Sequence, residues 1–181
     1  MSGFEFVFTL FGLVLGLALA EALSGLARAI KASDQVRIGW PTALLGLFVA
    51  CDVVTFWIYG WALRDIVEIN WPTMFGGFVI TAIYYICAAL VFPDDADGWA
   101  DLDSHFDKHR QKILAGIFFC NAVLMATVIA LFAVPSGFRA IIVAWSFFPV
   151  AGLAIVTKNR RIAVACLIWL LCLYPLSAFW N

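Results

Sequence analysis

Six apolar stretches account for most of the 181 residues, and that pattern narrows what the chain can fold into. They run at about Phe4–Ala27, Pro41–Leu63, Pro72–Phe92, Ile113–Val134, Phe138–Thr157 and Ile162–Trp180. Each is close to the ~20 residues that a helix needs to cross ~30 Å of hydrocarbon. The expected fold is an all-α, six-helix transmembrane bundle forming a single domain over residues 1–181.

The basic residues divide unevenly between the connections. With the N-terminus outside, the inner side holds Arg28, Lys31, Arg37, Lys108, Arg110, Lys112, Lys158, Arg160 and Arg161, and the outer side only Arg64 and Arg139. Nine cations against two, all in short connections, predict both termini on the outer side. The first stretch resembles a leader at Ala18-Leu19-Ala20, but no Lys or Arg precedes it, so a retained first helix is expected. A multi-pass protein of a bacterial inner membrane fits this plan.

Composition excludes other classes. The chain is 65% hydrophobic and 13% charged, more apolar than a water-soluble domain of this length tolerates. A net charge of −1 argues against nucleic acid, whose binders carry a basic surface that displaces counterions. The inner cations suit anionic lipid headgroups, so the expected partners are the bilayer and further copies of the chain. The five cysteines, Cys51, Cys87, Cys120, Cys166 and Cys172, fall inside helices and form no CxxC pair. They read as small reduced core residues.

The residue that most demands explanation is Asp52. It lies at the middle of the second helix, eleven residues from either end and so roughly 16 Å from each boundary. An ionisable side chain at that depth is expensive and is a functional candidate by default. Counting along the other helices puts Asn121, Thr81 and Ser146 near the same depth, with Thr55 one turn outward on the face of Asp52. If these faces converge, they form a midplane site of one acid, one amide and several hydroxyls. Glu21 lies roughly 8 Å towards the inner side of its helix, and Tyr84 and Tyr85 fall between it and Asp52 in depth. Acids at staggered depths suit a proton relay or cation path. The plainer alternative pairs Glu21 with Arg28 and makes Asp52 a neutral hydrogen-bonded link between helices. Glu5 is placed as an interfacial residue.

Helix 1 also carries Gly12, Gly16, Ala20 and Ser24 at intervals of four. Such a stripe lets another backbone approach closely, within the bundle or between subunits. An outer belt of Phe56, Trp57, Tyr59, Trp61, Trp71 and Trp180 reads as interfacial anchoring.

The connection from Pro93 to Lys112 is the one strongly polar segment. Its acids open, and its bases close, a predicted short interfacial helix before helix 4. Asp94-x-x-Asp97-Gly98 resembles the opening of the CDP-alcohol phosphotransferase signature, whose members also have about six helices. The continuation departs from that family. Asp101 and Leu102 stand where Ala-Arg belongs, and Gly116 is followed by Cys120 and Leu124 where two further acids belong. No catalytic residue is carried over, and a lipid-modifying enzyme would need Asp94, Asp97 and Asp101 to converge on a metal. The Asp95-Ala96-Asp97-Gly98 run fails as a calcium loop, whose first and last ligand positions would be Pro93 and Ser104. His105 and His109, four apart with Asp101 a turn earlier, could face a divalent ion but read more simply as titrating interfacial histidines. They are the only histidines, so no bis-histidine haem site and no intramembrane Ser/His pair is expected. No cofactor or metal is expected. The leading expectation is a small-cation or proton channel or transporter, not an enzyme. The alternative is a non-catalytic assembly or accessory subunit.

Overall fold

Pro41 and Pro72 each stand in the first turn of a helix, where a missing N–H costs no hydrogen bond, and each follows a Trp that opens the helix. The structure, a computed structural model, describes residues 3–31, 39–66, 68, 70–94, 99 and 101–180. Within it six helices are long and apolar enough to cross a membrane, and no strand occurs among the described residues. They are α1 (Gly3–Lys31), α2 (Trp40–Ala62), α3 (Trp71–Val91), α4 (Leu102–Leu131), α5 (Phe138–Val156) and α6 (Arg160–Phe179). Arg37, residues 95–98 with Asp97, and the side chain of Glu5 lie outside what is described.

Side-chain caps set several starts. The carboxamide of Asn70 accepts from the Thr73 N–H at 3.0 Å, Asp101 from Ser104 at 3.0 Å and Asn159 from Arg161 at 2.9 Å. Each satisfies a backbone donor that the helix leaves open. The Asp101 cap has a larger consequence. The segment expected as a separate short helix is the beginning of α4, which runs for 30 residues without a break from Leu102.

The helices form a ring in the order α1, α3, α4, α5, α6, α2. α2 also packs against α3 and α4, so the helix that carries Asp52 touches four of the other five. α1 enters through small residues: Ala18, Ala22 and Ala29 are buried, and Gly25 faces the Phe92 ring. That ring also packs on Gly46, wedging the end of α3 between α1 and α2. Outward faces carry many apolar side chains, with Leu13, Ile58, Phe78, Ile86, Ile141 and Ile168 all exposed. Such a surface needs a lipid environment.

Two prolines interrupt regular geometry. Pro149 follows a π-helical stretch, Ile141–Trp145, inside α5. A proline ring crowds the carbonyl four residues earlier, here that of Trp145, and a widened turn relieves the crowding. Pro175 lies inside α6, where it removes the donor for the carbonyl of Leu171.

At the end of the bundle where α2, α4 and α6 begin, polar contacts lock the helices together. Arg110 is buried, and its guanidinium donates to the carbonyls of Ala154 at 3.4 Å and Thr157 at 2.7 Å. These are carbonyls at the end of α5, where a helix lacks donors and favours a cation. Gln111 donates to Ile155 at 3.0 Å, and Arg160 pairs with Asp103 at 2.7 Å and with Asp107. Thr42 donates to the Leu102 carbonyl at 2.8 Å and so ties α2 to α4.

Candidate functional site

Asp52 sits on α2 with 2% of its surface exposed. Its carboxylate gathers three donors from three other helices. The Tyr84 hydroxyl of α3 donates to Oδ2 at 2.7 Å, and the Asn121 amide of α4 donates to the same oxygen at 2.9 Å. The Tyr174 hydroxyl of α6 donates to Oδ1 at 2.8 Å. A carboxylate offers about four acceptor positions, so three are filled and Oδ1 retains capacity for one more partner. Hydrogen bonds to a charged group contribute about 1.5–3 kcal/mol each, enough together to offset a desolvation cost of several kcal/mol. Among the described residues no basic side chain pairs with Asp52.

The partners are themselves held. The Asn121 amide also donates to the Ile117 carbonyl one turn back, at 3.0 Å, which fixes its orientation. Tyr84 is 1% exposed, and its ring lies 5.1 Å from that of Phe56. The Tyr174 ring lies 6.3 Å from that of Phe48. Tyr174 immediately precedes Pro175, at the point where α6 loses a backbone hydrogen bond.

Of the expected midplane residues, Asp52 and Asn121 come together, and Tyr84, expected further inward, joins them. The other hydroxyls do not hydrogen-bond to the acid. Thr55 donates to its own helix at the Cys51 carbonyl, 2.9 Å away, and Thr81 does the same at Phe78, 3.0 Å away. Ser146 bonds to the Ile142 carbonyl and accepts from the Trp169 indole at 3.2 Å, bridging α5 and α6. Glu21 lies 3.7 Å from Arg28, whose guanidinium stacks on Trp99 at 5.6 Å, so the plainer pairing is the one observed. Tyr85 is exposed on the outer face of α3, while Tyr84 spends its hydroxyl on Asp52. The described contacts do not continue the network from Asp52 to Glu21. Tyr174 completes the site and was not among the sequence candidates. Its signal is that Tyr84, Tyr85 and Tyr174 are the three tyrosines away from the aromatic belt.

The stripe on α1 divides. Gly12 packs against the Trp57 ring, but Gly16, Ala20 and Ser24 face outward, and a Cβ at Gly16 would meet nothing within 4 Å. The buried face of α1 is the neighbouring one, with Leu15, Ala18 and Ala22.

The polar connection offers less. Asp101 serves as the cap of α4, and Asp94 is exposed. His105 contacts the Leu90 carbonyl at 3.1 Å and His109 the His105 carbonyl at 3.1 Å, so each uses a ring nitrogen in backbone contact. No group of three potential metal ligands occurs among the described residues. The cysteines are free, with Cys87, Cys120 and Cys166 buried. No family model matches the chain, and comparison with curated proteins and with solved structures finds no match.

Proposed function

We propose that this multi-pass membrane protein moves protons, or a small cation, across the bilayer through Asp52. The observation that supports this is the donor set: three neutral groups from three helices meet one buried carboxylate with no basic partner among the described residues. A salt bridge would hold an acid in its charged form. Tyrosine hydroxyls serve either form, because each can turn from donor to acceptor when the carboxyl takes a proton. A proton added at Oδ1 displaces none of the three donors. A metal cation would require a shell of oxygens, and the Asn121 amide directs hydrogen at the acid, which favours the proton.

The surplus of cations at one end supports an orientation with that end inside and both termini outside, in a bacterial inner membrane. The first turns of α4, which bury Leu102 and Phe106 beneath polar neighbours, then belong at the inner interface. The outward-facing Gly16, Ala20 and Ser24 favour a second reading, compatible with the first, in which α1 forms a seam between subunits of a homo-oligomer or with a larger complex.

The test is ion flux into liposomes holding purified protein, under imposed H⁺, Na⁺ and K⁺ gradients, wild type beside Asp52→Asn. The reading expects proton flux from wild type and none from a folded variant. Equal flux from both would overturn it. Loss of Na⁺ or K⁺ flux instead would keep the site and change the ion.

A further inference from the structure

Opposite the Arg110 end, α1 to α4 draw apart and leave a cavity of about 820 Å³. That size falls within the ~300–1,000 Å³ typical of small-molecule sites. Its walls are apolar and unusually aromatic, with Phe8, Phe11, Phe56, Trp57, Phe75 and Phe119. Among the described residues, Glu68, exposed on the connection between α2 and α3, is the one ionisable side chain that lines it, and no basic residue does.

Gly76 of α3 leaves part of this space open. It lines the cavity, and a Cβ there would meet nothing within 4 Å. Gly77 beside it faces the Phe11 ring, so packing accounts for that glycine and not for Gly76. A glycine inside a helix is less stable than alanine by roughly 0.5–1 kcal/mol. Retaining one where a methyl group would fit keeps volume open.

We propose that this cavity binds a lipophilic cation, a molecule with an apolar, ring-bearing body and one positive charge. The chemistry of the walls selects that class. Aromatic faces attract cations, more strongly where water is excluded. A carboxylate at the rim, with no base among the described residues that line the cavity, favours positive charge and disfavours negative. The inference does not rest on proton movement through Asp52, whose oxygens do not line the cavity.

The test is calorimetric titration of the detergent-solubilised protein, with empty-micelle blanks. The probes are methyltriphenylphosphonium and its neutral counterpart triphenylphosphine. The expected result is saturable binding of the cation and binding of the neutral molecule about tenfold weaker or less. Glu68→Gln should narrow that preference. Gly76→Trp should abolish cation binding, while Gly76→Ala retains it and melts no lower than wild type. Gly76→Leu gives the same reading if tryptophan disturbs folding. Equal binding of the two probes by wild type, or undiminished cation binding by a folded Gly76→Trp protein, would overturn the proposal. Proton flux is not read here, so failure of the cavity site leaves the Asp52 reading standing, and the reverse holds too.

Discussion

Tyr174 donates its hydroxyl to Oδ1 of Asp52 at 2.8 Å and thereby ties α6 to α2 across 122 positions of sequence. Among the described residues it is the only donor to Oδ1, whereas Oδ2 has both Tyr84 and Asn121. The two tyrosines are therefore not equivalent.

Tyr174→Phe strips Oδ1 of its partner and should cost about 1–3 kcal/mol. Tyr84→Phe leaves Oδ2 with the Asn121 amide and should cost less. Thermal unfolding of both variants in the same lipid or detergent checks the order, and proton flux should fall in both.

Arg110 is an example of a buried cation retained for structure. Its two carbonyl partners end α5, and its Nε lies 3.7 Å from Asp107. Arg110→Met should destabilise the bundle by about 3 kcal/mol, because the α5 carbonyls lose charged donors. Arg110→Lys should recover only part of this, since one ammonium cannot reproduce the planar fork. Denaturant titration of the three proteins measures the difference.

Gly25 and Phe92 are coupled through space rather than charge. A Cβ at Gly25 would overlap the Phe92 ring, so Gly25→Val should cost about 1–3 kcal/mol. In a Phe92→Leu background the penalty should shrink, and a double-mutant cycle reads the shrinkage.

Gly16→Leu tests the outward seam. No described residue lies within 4 Å of a Cβ there, so the melting temperature of the single chain should hold. If α1 joins subunits, the assembly measured by light scattering should become smaller. An unchanged mass would remove α1 from the interface.

Much of this was legible in the sequence, for reasons that differ by residue. Hydropathy marks six spans because lipid tolerates few polar side chains, and α1 to α6 match them. Depth follows from 1.5 Å per residue, which is why Asp52 and Asn121 could be matched by counting, while Tyr84 was placed further inward. Rotation about each helix axis does not follow from counting. Thr55 and Thr81 have suitable depth but satisfy their hydroxyls on their own helices, a local option open to any helical Thr. Tyr174 was missed because a tyrosine hydroxyl reaches far from its Cα, so residue depth misjudges where its polar tip lies. α4 begins earlier than hydropathy places it, for another reason. Hydropathy reports where lipid contact begins, and Leu102 to Lys112 form helix before that point under the Asp101 cap.

The account turns on whether Asp52 exchanges a proton. Infrared difference spectroscopy on protein reconstituted in lipid, recorded across pH, reads the carboxyl band directly. The account predicts a carboxyl band that appears and disappears with pH, is absent in Asp52→Asn, and moves in frequency in Tyr174→Phe. A wild-type spectrum in which no pH-dependent carboxyl band is lost in Asp52→Asn would contradict it, leaving Asp52 as a fixed link between four helices.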